Sequence, residues 1–425
     1  MTAEILLATL LILFVIDTPI AVAIGASSVA AIAFAGDFPL QMTIQRLFSG
    51  ADSFHLLAVP LFMYAGTIME AGGISRRLID FATALVGWLP GGMAAVAVVS
   101  AMFFAGISGS AAADTAAVGS IMIPAMKKSG YRSDFAAAVQ ASGGSIGIII
   151  PPSIPMIIFG FLTGASVGRL FTAGILPGIM IGLSLIAVSC LVSRQQGYGA
   201  QASFSAAEVL RTGRRAVLAL GAPAIILGGI LSGIFTATES AAAAVVYGLA
   251  VGMLVYRQIG PGDLPRLFIE GSITAAIVMF IIACASVFSW LAAIEDIPAR
   301  LAGGLLALSD NRTVLLLLVN LVLLAAGTFV ETTAALILLV PMIMTLLPAL
   351  GIDAIQLGVI VVTNLAIGML TPPMGICLIV SASISGDRLA PVCRQVVPFL
   401  FILLVDLAVI TYWPPLTMAL AGTFR

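Results

Sequence analysis

Two similar glycine and proline segments could bind ions through their backbone atoms. Residues 147–153 read Gly-Ile-Ile-Ile-Pro-Pro-Ser, and residues 368–374, which lie 221 positions later, read Gly-Met-Leu-Thr-Pro-Pro-Met. A proline pair interrupts a helix, because neither residue donates a backbone N–H and each ring clashes with the preceding turn. The break frees carbonyl oxygens that suit a hard cation and N–H groups that suit an anion. Both segments therefore predict broken helices that bind ligands.

Two further segments combine glycine with hydroxyl and carboxylate side chains. Residues 106–115 read Gly-Ile-Ser-Gly-Ser-Ala-Ala-Ala-Asp-Thr, and residues 327–333 read Gly-Thr-Phe-Val-Glu-Thr-Thr. Each lies at the centre of an apolar block, 90–126 or 313–350, that is too long for one membrane crossing. Hydroxyls, carboxylates and free carbonyls supply the oxygen ligands that hard cations prefer. We expect one sodium site in each half of the chain.

The predicted cation ligands come from these turns and from the neighbouring broken helix. In the first half they are Ser108, Ser110, Asp114, Ser145, Gly147 and Pro151. In the second half they are Thr328, Glu331, Thr332, Thr333, Thr363, Gly368 and Thr371. Two structural roles compete with this interpretation. Serine and threonine in membrane helices often bond to their own backbone, and Asp114 could cap the second helix of its hairpin.

Acidic residues in apolar segments are functional candidates by default, because inserting one costs roughly 2.5–3.5 kcal/mol. Asp114 and Glu331 could carry a proton in place of binding sodium. Asp17 precedes Thr18-Pro19 and indicates a break or an interface within an apolar run.

The predicted substrate path carries no positive charge. No lysine or arginine occurs in 90–126, 134–164 or 313–384. We therefore expect helix N-termini, amides and hydroxyls to hold an anionic substrate. The predicted contact residues are Ser142, Gly143, Gly144, Ser153, Asn364, Pro372 and Pro373.

The composition identifies an all-α polytopic membrane protein. Hydrophobic residues make up 61% of the 425 residues and charged residues 9%, and the mean hydropathy is +1.20, whereas soluble domains are about 25% charged. With His55 as its one histidine, the chain cannot form an HExxH motif, and neither Lys127 nor Lys128 follows a glycine as in a phosphate-binding loop. We expect no transition metal, no organic cofactor and no nucleic-acid partner, so transport would draw on an ion gradient.

The two halves predict inverted repeats, each with a re-entrant helical hairpin and a broken transmembrane helix. Two segments broken at corresponding places are typical of a secondary transporter's binding site. The predicted spans are 3–35, 54–73, 134–164, 171–193, 216–236, 239–256, 271–293, 355–384 and 396–417. Counting crossings from a cytoplasmic N-terminus places 13 of the 18 lysines and arginines in the cytoplasm and 5 outside, as the positive-inside rule requires.

The predicted spans divide the chain into five regions. Residues 1–89 form N-terminal scaffold spans and an interfacial arm helix at 74–88. The two transport regions are 90–165 and 311–386, each with one hairpin and one broken helix. Residues 166–310 supply further scaffold spans and a cytoplasmic linker at 194–215, and 387–425 form the C-terminal span.

Four motifs, taken in order, resemble the large permease subunit of the tripartite ATP-independent periplasmic (TRAP) transporters. They are Ser108-Gly-Ser-Ala-Ala-Ala-Asp114, residues 147–153, Gly233-Ile-Phe-Thr-Ala-Thr-Glu-Ser240 and residues 368–375. The resemblance spans essentially the whole chain. One departure is Ala237, where related sequences often have proline. Substrate-contacting residues vary in this family, so the resemblance does not identify the substrate.

The resemblance implies an elevator-type importer of organic acids, coupled to sodium, in the bacterial inner membrane, with a fold like that of the ion transporter superfamily. It implies that a periplasmic solute-binding protein delivers the substrate and that a small four-span membrane subunit braces the scaffold. Since no four-helix block precedes residue 1, we expect that subunit to be a separate chain.

Two alternatives remain at this point. The chain could act alone as an ion or dicarboxylate carrier with the same inverted-repeat fold, or it could couple transport to protons. An intramembrane enzyme is disfavoured, because the sequence shows no paired catalytic carboxylates, metal cluster or Ser/His arrangement.

Overall fold

The computed structural model describes residues 2–35, 38–199 and 203–422, and these residues form helices joined by short turns. The helices of the first half are α1 Thr2–Val15, α2 Ile20–Ala35, α3 Gln41–Ala51, α4 Ala58–Ala71, α5 Ile74–Val86, α6 Gly92–Ser108, α7 Ala111–Lys128, α8 Ser133–Ser145, α9 Ile154–Thr163 and α10 Val167–Gln195. Those of the second half are α11 Ala206–Leu231, α12 Ala237–Ala250, α13 Leu264–Ile294, α14 Ile297–Leu308, α15 Arg312–Phe329, α16 Thr332–Thr345, α17 Leu347–Leu350, α18 Ala354–Gly368, α19 Ile376–Ser385, α20 Leu389–Tyr412 and α21 Pro415–Ala421. Single turns of 3₁₀-helix occupy Phe54–Leu57, Ile146–Ile148 and Pro261–Asp263, and a π-helical turn occupies Val251–Val255.

Seven helical stretches of the described chain are long and apolar enough to cross a membrane. They are Phe54–Ala71, Val167–Gln195, Ala206–Leu231, Ala237–Val255, Pro261–Ile294, Arg312–Phe329 and Leu389–Tyr412. The predicted all-α polytopic architecture is confirmed.

Hairpins and broken helices recur at the predicted spacing. Helices α6 and α7 form one hairpin, and α15 and α16 form the other. Helix α8 stops before the first proline pair and α9 resumes after it, as α18 and α19 do around the second pair. Gly130 and Gly351 each turn the chain from hairpin to broken helix with a positive φ, +85° and +59°, which glycine adopts without steric cost. The Pro151-Pro152 and Pro372-Pro373 bonds are both cis.

The repeats are interlocked at their centre. Helix α9 packs against α16 and α18 of the second repeat, whereas α19 packs against α7 and α8 of the first. Helices α10 and α20 pair beside this body, with Ser184 Oγ donating to Asp406 Oδ1 at 3.0 Å. Helices α2, α3 and α4 pack on α13, and α11 packs on α5. The hairpins and broken helices thus form one interlocked body, against which α10 and α20 pack, whereas α2, α3 and α4 pack around α13.

The first predicted span, 3–35, is two helices. The chain turns at Asp17, which has a φ of +59°, and α1 and α2 then pack against each other. The backbone N–H of Ala3 donates to Glu295 Oε2 at 3.3 Å, and the ring of Phe38 lies 5.1 Å from that of Trp290. Both ends of the α1–α2 pair therefore lie at the C-terminal end of α13, and the single-span prediction is wrong. The break predicted at Asp17 is confirmed.

Because α1 and α2 pair in this way, the N-terminus and the arm helix α5 lie on opposite faces of the molecule. Leu267 near the start of α13 packs with Ile68 near the end of α4, so the arm helix α5 lies at the N-terminal end of α13. The 31 residues of α13 span about 46 Å at 1.5 Å per residue. Residue 3 and the arm arginines Arg76 and Arg77 therefore lie at opposite ends of α13, and the predicted placement of both in the cytoplasm is wrong. No basic residue precedes Arg46, so the 13-to-5 division does not change.

Other boundaries differ less. Helix α5 lies where the arm helix was predicted, at 74–88, and the equivalent α14 was not predicted. The linker predicted at 194–215 is shorter, because α10 continues to Gln195 and α11 begins at Ala206. Residues 200–202 of that linker, and Arg425 of the charge count, lie outside the described residues.

The Gly233–Ser240 motif has a local structural explanation. Gly233 turns the chain after α11 with a φ of +71°. Thr236 and Glu239 then form a capping box at the start of α12, with Thr236 Oγ1 accepting from the N–H of Glu239 at 3.2 Å. Ala237 is the first residue of α12, a position that favours proline because its N–H is not needed. Alanine fits the same position, so the departure from the family pattern leaves the cap intact.

Candidate functional site

The first hairpin tip is docked onto the first helix break. A Cβ placed on Gly109 would lie 2.7 Å from the carbonyl oxygen of Pro152, and the N–H of Ile154 donates to the carbonyl of Gly109 at 3.3 Å. Ser110 caps α7 by accepting from the N–H of Ala113 at 3.5 Å. The tip and the break therefore form one local structure.

Asp114 is buried in the first turn of α7 behind this tip. Its Oδ1 accepts a hydrogen bond from the hydroxyl of Ser108. Its Oδ2 has no hydrogen-bond partner within the described chain and faces Gly147, where a Cβ would come within 2.1 Å. The cap of α7 is Ser110, so the alternative prediction that Asp114 caps this helix is wrong. A buried carboxylate oxygen without a partner is costly, which favours a cation or a proton at this point.

The remaining predicted residues of the first break bond mainly to nearby backbone. Ser142 Oγ donates to the carbonyl of Ala138, and Ser145 Oγ to that of Ser142, both at 2.8 Å. Ser153 Oγ donates to the carbonyl of Ile148 at 2.5 Å and caps α9. Gly143 and Gly144 allow close approach of Ala101 on α6 and Thr115 on α7, and Pro151 is also buried. These hydroxyls and glycines shape the break in this conformation.

The second tip repeats the design with a different cap. Glu331 caps α16 by accepting from the N–H groups of Thr333 at 2.8 Å and Ala334 at 3.2 Å, and from the hydroxyl of Thr333 at 3.1 Å. Thr332 Oγ1 lies 3.1 Å from Met369 Sδ. A Cβ on Gly368 would lie 2.5 Å from the carbonyl carbon of Gly327. The second hairpin is therefore also docked on its own break.

Not every residue predicted near the second tip faces the site. Thr328 and Thr371 donate to the carbonyls of Leu324 and Ile367, each at 2.8 Å. Thr363 is buried, and its hydroxyl has no partner within the described chain. Pro372 is half-buried and Pro373 is exposed, and neither borders the cavity described next.

A cavity of about 220 Å³ lies where the two tips meet the scaffold. Ser110 and Glu331, which cap equivalent helices of the two hairpins, both line it. The second repeat adds two hydroxyls and a thioether, those of Thr332, Thr333 and Met369. The opposite wall belongs to the scaffold and consists of Met63 from α4 and of Thr274, Ile277, Val278 and Ile281 from α13. Its described lining contains one carboxylate and no basic side chain. The cavity can hold a small molecule between the ends of two helices, each of which begins with a polar cap.

The matching family model is that of the tripartite ATP-independent periplasmic transporter, DctM component, and it covers residues 7–416. The chain belongs to this family. The C4-dicarboxylate TRAP transporter large permease protein DctM of Pseudomonas aeruginosa is 43% identical over 375 residues, which are 88% of each chain. The isethionate TRAP transporter permease protein DctMQ of Oleidesulfovibrio alaskensis is 39% identical over 409 residues, which are 96% of this chain and 64% of that protein. The predicted resemblance is confirmed, and the chain is a transporter permease subunit, not an enzyme.

A solved structure has the same fold. The YdaH transporter of Alcanivorax borkumensis superposes with a TM-score of 0.63 at 14% identity, covering 90% of this chain and 89% of that chain. The polytopic architecture of this DctM-family permease therefore recurs at low sequence identity.

Sequence reasoning missed a buried amide group in this permease. Asn364 Nδ2 donates to Asn320 Oδ1 and to the carbonyl of Ile360, both at 2.8 Å. Asn320 Nδ2 in turn donates to Thr411 Oγ1 at 3.1 Å. Asn364 was predicted to contact substrate, but it lies in this link between α15, α18 and α20 and does not border the cavity. The signal was available, because Asn320 interrupts the apolar stretch 314–324.

Proposed function

We propose that this DctM-family permease imports an organic acid by sodium-coupled secondary transport. One observation carries the proposal: two hairpin tips, each docked on a broken helix, meet at one cavity, and a buried Asp114 oxygen without a described partner lies behind the first tip. Oxygen ligands on an interrupted helix suit sodium, and the starts of α7 and α16 suit an anion.

The charges near the cavity support an order of binding. Glu331 lines the cavity and Asp114 lies behind it, so an anionic substrate that entered first would meet two carboxylates. A cation at Asp114 removes one of these two repulsions and holds the tip on Gly147 and the break. Sodium therefore binds first and lowers the negative charge near the cavity, and the anionic substrate binds second.

Relatives favour an acidic substrate. Two homologous permeases are named for isethionate and for C4-dicarboxylates, both of which are organic anions. The cavity volume of about 220 Å³ suits molecules of that size.

The packing supports an elevator motion. The hairpins and broken helices form one interlocked body, and the cavity lies at its boundary with α4 and α13. The facing side chains of α13 are mostly apolar, which allows sliding without breaking ion pairs. We include α10 with the moving body, because it packs on α6 and α20 far more than on α11. It had been predicted as scaffold.

Partners and orientation complete the proposal. A periplasmic solute-binding protein delivers the acid, and a small four-span membrane subunit braces the scaffold in the bacterial inner membrane. With 13 basic residues on the arm-helix face, the positive-inside rule puts that face in the cytoplasm. The N-terminus then lies on the periplasmic side.

The test is uptake into proteoliposomes that contain the permease, its small subunit and the binding protein. Replacing external sodium with choline should abolish uptake. Uptake that survives this exchange would remove sodium coupling. Proton coupling is the second candidate, because a proton would equally satisfy the Asp114 oxygen; uptake would then follow a pH gradient, and Glu331→Gln should abolish it. Strong uptake by this chain alone would favour a stand-alone carrier.

A further inference from the structure

An open pocket at the arm-helix end of the scaffold lies apart from the transport cavity. Its volume is about 590 Å³. It is formed by the start of α5, by α11 and by the turn that follows the π-helical end of α12. The residues that matter here are Arg76, Arg77, Asp80, Arg214, Arg215 and Tyr256.

The pocket is held in shape by specific contacts. Arg77 Nη1 donates to the carbonyl of Gly73 at 2.8 Å, and its guanidinium lies 3.4 Å from the ring centroid of Tyr256. The hydroxyl of Tyr256 donates to the backbone carbonyl of Arg215 at 3.4 Å. Tyr256 thus connects α5 to α11 and fixes one guanidinium at the pocket wall. A preorganised guanidinium loses less entropy when it binds an oxyanion.

Positive charge at this pocket is poorly neutralised. Four arginines and one aspartate line it. Within the described chain, Arg76, Arg214 and Arg215 form no ion pair. The nearby Glu208 is already paired with Arg211 at 2.7 Å. Several arginines around one space match the oxygens of a phosphate group, which accepts paired N–H donors.

The surroundings indicate that the phosphate belongs to a lipid. Val217, two residues after Arg215 on α11, is 59% exposed, and Leu254, two residues before Tyr256, is 73% exposed. Such apolar surface suits acyl chains below a headgroup. The pocket also lies on the face with 13 basic residues, where anionic headgroups attract arginine in the cytoplasmic leaflet.

We propose that this pocket binds the phosphate of an anionic phospholipid from the cytoplasmic leaflet. The bound headgroup joins the arm helix α5 to α11. It thereby anchors the scaffold at the membrane surface. This site does not depend on what the permease transports or on which ion drives it.

The experiment measures phospholipid binding to the purified whole chain by native mass spectrometry. Phosphatidylglycerol should bind more tightly than phosphatidylcholine. The double variant Arg214→Gln/Arg215→Gln should weaken phosphatidylglycerol binding about 30-fold, since each basic residue near the surface contributes about 1 kcal/mol. The matched control is Arg388→Gln/Arg394→Gln, which removes two arginines from the same face outside the pocket and should leave binding unchanged.

A single variant and a competition with phosphate complete the experiment. Arg76→Gln, on a different helix, should weaken binding about fivefold, and it replaces the double variant if that protein fails to fold. Inorganic phosphate at millimolar concentration should not displace the lipid; displacement would assign the pocket to a soluble phosphate and overturn the lipid source. Equal affinity for the two lipids, or equal weakening by the control variant, would overturn the site itself.

Discussion

The two hairpin tips occupy equivalent places in the two repeats, but they place their carboxylates differently. Ser110 and Glu331 are separated by the repeat spacing, and each caps the second helix of its hairpin. Asp114 lies one turn further along α7 and is fully buried, and its equivalent in α16 is Ala335. The carboxylate of the first tip, Asp114, is thus buried within the tip, whereas that of the second tip, Glu331, lines the cavity.

The two helix breaks also differ in burial, and again the first is the more enclosed. Pro151, Pro152 and Ser153 are all buried, whereas Pro373 is exposed and Met374 is 57% exposed. The first repeat therefore encloses its site, and the second leaves its break open. The inverted repeat determines where the helices break, whereas the side chains at each break determine what that break can bind. We expect the first to hold a coupling ion and the second to contact substrate.

The largest expected effect comes from Asp114→Asn. The asparagine oxygen can still accept the hydrogen bond from Ser108, but the negative charge is lost. Sodium-driven uptake should fall about 100-fold, because removing one partner of a buried charge pair costs roughly 2–5 kcal/mol. Sodium dependence of uptake in proteoliposomes is the measurement. Asp406→Asn, which alters a buried carboxylate between α10 and α20, is the control and should reduce uptake far less. Equal losses would end the distinction between the two sites.

The paired variants Gly147→Ala and Gly368→Ala sharpen the comparison. At Gly147 the new methyl meets chiefly the end of a side chain, Asp114, which can move away from its site, and the backbone Cα of Ala111 lies further off at 3.2 Å. At Gly368 it meets the backbone of Gly327, which cannot. Gly368→Ala should lower the free energy of unfolding by about 1–3 kcal/mol, measured as a lower melting temperature in detergent.

Gly147→Ala should instead keep most of that stability and lose sodium affinity. Gly228→Ala, where nothing lies within 4 Å of the new methyl, controls for the alanine itself. A larger stability loss at Gly147 than at Gly368 would contradict the argument.

Glu331→Gln should have a smaller effect under sodium coupling. The amide oxygen still accepts from the N–H of Thr333, so the cap survives and only the charge is lost. We expect about a tenfold change in the KM for substrate with sodium dependence intact. A complete loss of uptake would favour proton coupling, and no change would show that Glu331 does not face the substrate.

The smallest effect is expected for Ser110→Ala. Loss of a helix cap costs about 1 kcal/mol, and the resulting movement of the first tip should reduce uptake about fivefold. Ser166→Ala removes the matching cap of α10, away from the cavity, and should reduce stability to the same extent without changing uptake. If the two variants behave alike, Ser110 acts only as a cap.

The sequence predicted the parts of the fold that depend on backbone chemistry. Proline pairs located the breaks within a few residues, and Gly130 and Gly351 marked equivalent turns. The run 3–35 was misread, because hydropathy cannot distinguish one tilted span from two shorter packed helices. Asp17 was the available signal. Helix α14 was missed because Arg300 is its one charged residue, which leaves a weak amphipathic pattern.

The candidate site was predicted less completely for a related reason. Composition locates hydroxyls near a break but does not show which carbonyl each one reaches. Ser142 and Thr371 bond to their own helices, whereas Asp114 faces Gly147. The direction of a side chain depends on packing between the repeats, and a single sequence contains no direct record of it.

The crossed contacts of α9 with α16 and of α19 with α7 bear on how this permease can be assembled and dissected. A fragment that stops between α10 and α11 would carry a complete first repeat by sequence, yet α9 would lack α16 and α18, the helices against which it packs. Each half therefore supplies helices that complete the packing of the other half. Synthesis of the first half must leave an unfinished core in the bilayer until α16 emerges, about 170 residues after α9.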